Sequence, residues 1–158
     1  ARIRIIDSDF YRKIDWPIIV MLAAMIPIGT ALQTTGVSSL IATSISTYAS
    51  NLSLFWILLI ILIVTMITTD IINNAATAVI MAPISTGIAL ELGFAIEPFL
   101  MVVAVGASCA FLTPIGHQCN TVVMGPGNYK FTDYWRMGLP MDILIILASV
   151  PMILFVWT

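Results

Sequence analysis

Apolar residues fill most of this chain, and the polar ones gather in a few short clusters between them. Trp16 and Pro17 open an apolar run that reaches about Gln33 and is interrupted by Pro27 and Gly29. This predicts a membrane helix over 16–35. In 36–50 (GVSSLIATSISTYAS), Leu40, Ile41, Ile45 and Tyr48 recur at helical spacing among Ser and Thr. That pattern predicts an amphipathic helix lying in the membrane interface. Leu52–Thr69 is the most apolar run. It meets a polar knot at Thr68–Asn74 and resumes from Ala75 to Leu92, followed by a loop, LGFAIEP. A further run, Phe99–Leu112, stops at Thr113-Pro114-Ile115-Gly116-His117-Gln118-Cys119-Asn120. Thr121–Met124 is apolar, Gly125-Pro126-Gly127 reads as a turn, and Leu139–Trp157 forms the last span.

Composition fixes the solvent of these runs. Hydrophobic residues make up 60% of the chain, charged residues 9%, and mean hydropathy is +1.08. Soluble domains carry about a quarter charged residues. So few charges cannot cover a water-facing surface, and the runs reach the ~20 residues that a spanning helix needs. The chain is therefore expected to be integral to a membrane. A net charge of −2 with no basic patch gives no support to nucleic acid as a partner.

Charge also suggests orientation. Arg2, Arg4, Arg12 and Lys13 precede the first run, and Lys130 and Arg136 precede the last. By the positive-inside tendency both segments are cytoplasmic, so an even number of crossings separates them. Two spans with a re-entrant hairpin satisfy this, and so do four full spans. Residues 1–15 lack the layout of a signal peptide and read as a cytoplasmic lead-in. Cys109 and Cys119 read as small membrane-embedded fillers, and with His117 the only histidine, no zinc spacing is present.

The polar clusters carry the chemistry. Irregular backbone at membrane depth survives only where it is buried in protein or lines a wet cavity. Half-helices whose free N–H and C=O groups converge there form ion and anion sites. Thr68–Asn74 and Thr113–Asn120 are two such interruptions, rich in neutral oxygens and amides. Both also have a plain reading, the first as an extramembrane turn and the second as a loop with a short helix.

The run TTDIINNAATAVIMAPI (Thr68–Ile84), followed by LTPIGHQCNTVVMGPGNYKFTDYWRMGLP (Leu112–Pro140), resembles the second repeat of the divalent anion/sodium symporter family. That family belongs to the citrate-transporter-like ion transporter superfamily. The resemblance extends to KIDWPIIVMLAAMIPIGTALQTTGVSSLI, so it covers nearly the whole chain. It is closest to the subgroup whose membrane halves are separated by TrkA-C regulatory domains. It implies an all-α membrane protein, one inverted repeat of a secondary transporter with a re-entrant hairpin (54–92), a broken helix (97–127) and a last helix (137–157).

The resemblance also implies roles. The family's Ser-Asn-Thr tip falls on Asn73-Asn74-Ala75, so only Asn74 is kept. Its sodium ligands fall on Thr69, the backbone of Ile72, Asn74 and Gly116. His117 takes a substrate-facing position, either as a neutral hydrogen-bonder or as a protonated partner of the anion. The substrate set is then Asn73, Asn74, Ala75 and His117. The expected activity is sodium-coupled symport of a sulfate- or dicarboxylate-class dianion by alternating access, with sodium as coupling ion and no other cofactor. The alternatives are a related exchanger, such as an arsenite or sodium/proton antiporter, and a non-transporting scaffold subunit. No enzymatic role is expected. The expected partners are the lipid of the cell (inner) membrane, the missing first repeat of the same protein and a second copy in a homodimer. Asp70 is either a functional acid or a turn cap.

Overall fold

The computed structural model describes residues 52–157 continuously and, before them, only scattered positions between 19 and 44. The lead-in expected at 1–15 lies outside the described residues, as do most of the helices expected at 16–35 and 36–50. Five helices follow in order: α1 (Leu54–Ile71), α2 (Asn74–Leu92), α3 (Ile96–Ala107), α4 (Gln118–Met124) and α5 (Phe131–Trp157). There is no strand among the described residues. The fold is all-α, and α1, α2 and α5 are each long and apolar enough to cross a membrane.

Burial shows how an evenly apolar helix acquires two faces. In α1 the buried residues are Ile57, Leu58, Ile61, Leu62, Thr65, Met66, Thr69 and Asp70, a pair every four residues. Trp56, Ile60, Ile63, Val64 and Ile67 lie on the opposite side and are exposed. Both faces are greasy, so packing within the fold, and not a division into apolar and polar sides, distinguishes them. α3 sits against both α1 and α2, and the two arms pack on it more than on each other.

Lipid is as apolar as leucine, so close approach and internal polar bonds hold such helices together. Gly106 on α3 permits this at Thr65, since an added Cβ would lie 2.9 Å from the threonine Cβ. Ser85 on α2 donates to the Phe99 carbonyl on α3 at 3.1 Å. The hydroxyls of Thr65, Thr68, Thr86 and Ser108 donate to carbonyls four residues earlier, which satisfies them inside apolar helices.

Several boundaries differ from those read in the sequence. The polar knot is mostly helical: α1 runs through Thr68, Thr69 and Asp70, and only Ile72 and Asn73 separate it from α2. α3 ends at Ala107, well before Thr113, because Cys109–Leu112 leave the helix to lie along the end of α1. An apolar run carries no sign of that departure. The last helix starts at Phe131 rather than 137. The Asp133 carboxylate accepts from the Lys130 N–H at 2.8 Å and caps its first turn.

Candidate functional site

The Asn73 side chain caps α2 by accepting from the Ala76 N–H at 2.8 Å. Its carbonyl oxygen is thereby committed, and its amide nitrogen is the remaining donor. The Asn74 and Ala75 N–H groups stand in the first turn of α2, where the helix itself offers no acceptor. Ala75 thus contributes backbone rather than side chain to the tip.

Asn74 is the junction. Its side-chain amide lies 2.8 Å from the Thr69 hydroxyl, which donates to the Ala107 carbonyl at 2.9 Å. With its nitrogen turned inward, Asn74 donates to Thr69 Oγ1 at 2.8 Å and to the carbonyls of Ala107 and Gly116 at 3.2 Å each. With its oxygen inward, four neutral oxygens face one another. The first orientation closes the cluster with hydrogen bonds, and the second is a ligand set for a hard monovalent cation.

Four helix ends meet at this cluster. Thr69 is in the last turn of α1, and Ala107 ends α3. Asn74 begins α2, and Gly116 lies two residues before α4. Carbonyl ends favour a cation, and N–H ends favour an anion.

The break between α3 and α4 is fastened to the end of α1. The Leu112 N–H donates to Asp70 Oδ1 at 3.0 Å, and the Thr113 hydroxyl donates to the Asp70 carbonyl at 2.6 Å. The same Thr113 oxygen accepts from the N–H groups of Ile115 and Gly116 at 3.2 Å. Gly116 is buried against α1: a Cβ there would stand 2.7 Å from the Thr69 carbonyl and 2.7 Å from Ala110 Cβ. On its other side the break is held by Asn120, which donates to Ala110 O at 2.8 Å, and by the Tyr134 hydroxyl of α5, 2.7 Å from the Asn120 carbonyl.

His117 is the N-cap of α4, its Nδ1 accepting from the Cys119 N–H at 3.1 Å. That bond places the ring proton of neutral His117 on Nε2, which is left as a donor.

Of the residues singled out from the sequence, Thr69, Asn74 and Gly116 come together in one cluster. Asn73, Ala75 and His117 stand at the two adjoining helix N-termini. Ile72 is in the turn, where its N–H donates to Thr68 O at 2.9 Å. Sequence reasoning missed Ala107, which contributes only a carbonyl, and Thr113, whose hydroxyl organises the break.

Residues 4–106, well over half of the chain, match the citrate transporter family. The chain belongs to that family. As a citrate transporter family member it is an integral membrane protein of a transport family, not an enzyme.

It is 37% identical over 150 residues to an uncharacterized transporter of Synechocystis sp., covering 95% of this chain and 24% of that protein. It is likewise 37% identical over 154 residues to the uncharacterized transporter YfbS of Escherichia coli, covering 97% and 25%. Sodium/sulfate cotransporter 2 of Chlamydomonas reinhardtii is 30% identical over 145 residues, covering 90% and 16%. This family member thus spans about a quarter of the length of the first two relatives.

Proposed function

We propose that the chain is the second repeat of a sodium-coupled transporter that carries a small divalent anion, of the sulfate or dicarboxylate class, by alternating access. The observation that carries this reading is the convergence of Thr69 Oγ1, the Asn74 amide, Ala107 O and Gly116 O at the meeting of four helix ends. Sodium is a hard cation that takes oxygen ligands. Asn74 supplies one by turning its amide, with Thr69, Gly116 and Ile72 as further donors in the proposed set.

The anion takes the N–H side. Donors there are the Asn73 and Asn74 amides, the Ala75 N–H and His117 Nε2–H. Bound sodium offsets part of the dianion's charge in a poorly hydrated site, which couples the two without a fixed charge in either ligand set. The similarity to the sodium/sulfate cotransporter supports sulfate as the first anion to try.

A first repeat of the same polypeptide supplies the other half of the site, TrkA-C type domains separate the halves, and the protein is a homodimer. It resides in the cell membrane with the segment before the first helix cytoplasmic.

Uptake of sulfate into proteoliposomes by the full-length protein, with sodium replaced by choline, tests the reading. Uptake is expected to require sodium and to be competed by dicarboxylates if they share the site. Thr69→Val removes one sodium oxygen at nearly constant volume. It should raise the sodium concentration for half-maximal uptake roughly tenfold, a loss of ~1.4 kcal/mol, while leaving anion preference in place. Uptake indifferent to sodium in the parent protein overturns the proposal.

A further inference from the structure

Two acids are sunk in the helices and lie outside the ligand sets just described. Asp70 is 4% exposed and Asp142 is 7% exposed. They stand on different elements, α1 and α5, which pack together. Both line one crevice of ≈ 370 Å³, whose walls are otherwise apolar, with Ile67, Leu139 and Ile143 among them and Trp135 at its edge. The two acids thus reach one crevice from the two helices that wall it.

Each acid is only partly satisfied. Asp70 Oδ1 accepts from the Leu112 N–H at 3.0 Å, yet Oδ2 is buried without a partner among the described residues. Asp142 Oδ1 is buried without such a partner as well. Among the described residues, no Lys, Arg or His lines the crevice. The Cys109 thiol, outside the crevice lining, donates to Val105 O and offers no positive charge.

Two like charges buried at one crevice with an open oxygen each are unfavourable until a positive charge joins them. The ligand chemistry follows from the walls. A dication seeks six or more oxygens, and the side chains lining this crevice beside the two acids are apolar. A monovalent cation, with Leu112 N–H already offsetting part of the Asp70 charge, fits the two open oxygens. The geometry points to a monovalent-cation site between Asp70 and Asp142, bridging α1 and α5. It is separate from the neutral-oxygen cluster around Asn74 and is built on charge rather than on amides and carbonyls. The site goes beyond the proposed transport reading, which supplies only the choice of sodium as the probe.

Trp135 provides a local reporter. The full-length protein is prepared with Trp135 as its sole tryptophan and reconstituted in nanodiscs. Sodium chloride is titrated against choline chloride at constant ionic strength and fixed pH. Trp135 emission should change saturably with sodium. The half-saturating concentration should rise roughly tenfold or more in Asp142→Asn and in Asp70→Asn, each of which removes one charge. The amide introduced by Asp70→Asn retains an oxygen for the Leu112 N–H, so this variant spares the break. Asp142→Glu keeps the charge and should retain a saturable response.

Thr69→Val should leave the response in place, because that lesion strikes the other cluster. An unchanged half-saturation in both asparagine variants overturns the site. So does a response abolished by Thr69→Val, or one that follows pH and ignores sodium, which would mean a proton is held there instead. Loss of the Trp135 response together with intact sodium-dependent uptake refutes this site alone. Sodium-independent uptake with a normal Trp135 titration refutes the transport reading alone.

Discussion

Asn74 concentrates the site into one side chain. Its amide reaches Thr69, Ala107 and Gly116 at once, and the same group presents either a donor or an acceptor to them. Asn74→Leu keeps the volume roughly and removes both functions. Hydrogen bonds to charged groups contribute ~1.5–3 kcal/mol, so at least a roughly tenfold loss of apparent sodium affinity is expected in a folded protein. Sodium-dependent uptake at parental affinity by a well-expressed variant would return Asn74 to a plain turn role. His117 calls for a different measurement. It caps α4 through Nδ1, a task Asn performs and Ala does not. His117→Ala should lower stability by about 0.5–2 kcal/mol in detergent unfolding, whereas His117→Asn should stay close to the parent. Equal melting of the two variants would remove the cap from its account.

At the scale of elements, the long apolar runs made the helices legible, and their edges were much less so. The start of α5 was hidden because Phe131–Arg136 reads as a basic loop, although Asp133 and Lys130 form an N-terminal cap. The end of α3 was hidden for the opposite reason: Cys109, Ala110, Phe111 and Leu112 look like more helix. The Leu112 N–H is instead held by a partner distant in sequence, the Asp70 carboxylate, and no local pattern records it. Ala107 was invisible because a backbone oxygen has no side chain to read, whereas Thr69, Asn74 and Gly116 were reached through resemblance rather than spacing. The fit of the break on α1 then makes a strict demand. Gly116→Ala places a methyl 2.7 Å from the Thr69 carbonyl and from Ala110 Cβ. Backbone on one side cannot yield, so the break must move away from α1. Overpacking of this kind costs about 1–3 kcal/mol, and sodium-dependent uptake should fall more steeply than stability. Retention of parental sodium affinity in Gly116→Ala would show that the contact is dispensable.

In the whole molecule, the described helices form a layer around α3, with α1 and α2 on it and α5 lying across α1 and α3. Gly138 lets α5 press on the break itself, since a Cβ there would sit 2.5 Å from the Phe111 carbonyl. The break therefore has α1 on one side and α5 on the other, and the proposed sodium and dianion sites lie where these parts join. The acid pair lies across the α1–α5 contact, so any change in the spacing of those two helices alters both carboxylates together.

The Thr113 hydroxyl has a consequence that reaches beyond ligand binding. An unwound stretch inside a membrane protein is commonly pictured as slack, yet here the Leu112, Ile115 and Gly116 N–H groups are all held by side-chain oxygens. Their protons should therefore resist replacement by deuterium nearly as well as those of α3, although no helix protects them. Exchange slows when opening requires cooperative loss of such bonds. In Thr113→Val, deuterium uptake across 111–117 should accelerate markedly while 99–106 stays slow. Fast uptake in the parent protein would mean that these bonds form only fleetingly. Slow uptake in both proteins would mean that the fold, and not this one oxygen, keeps the segment closed.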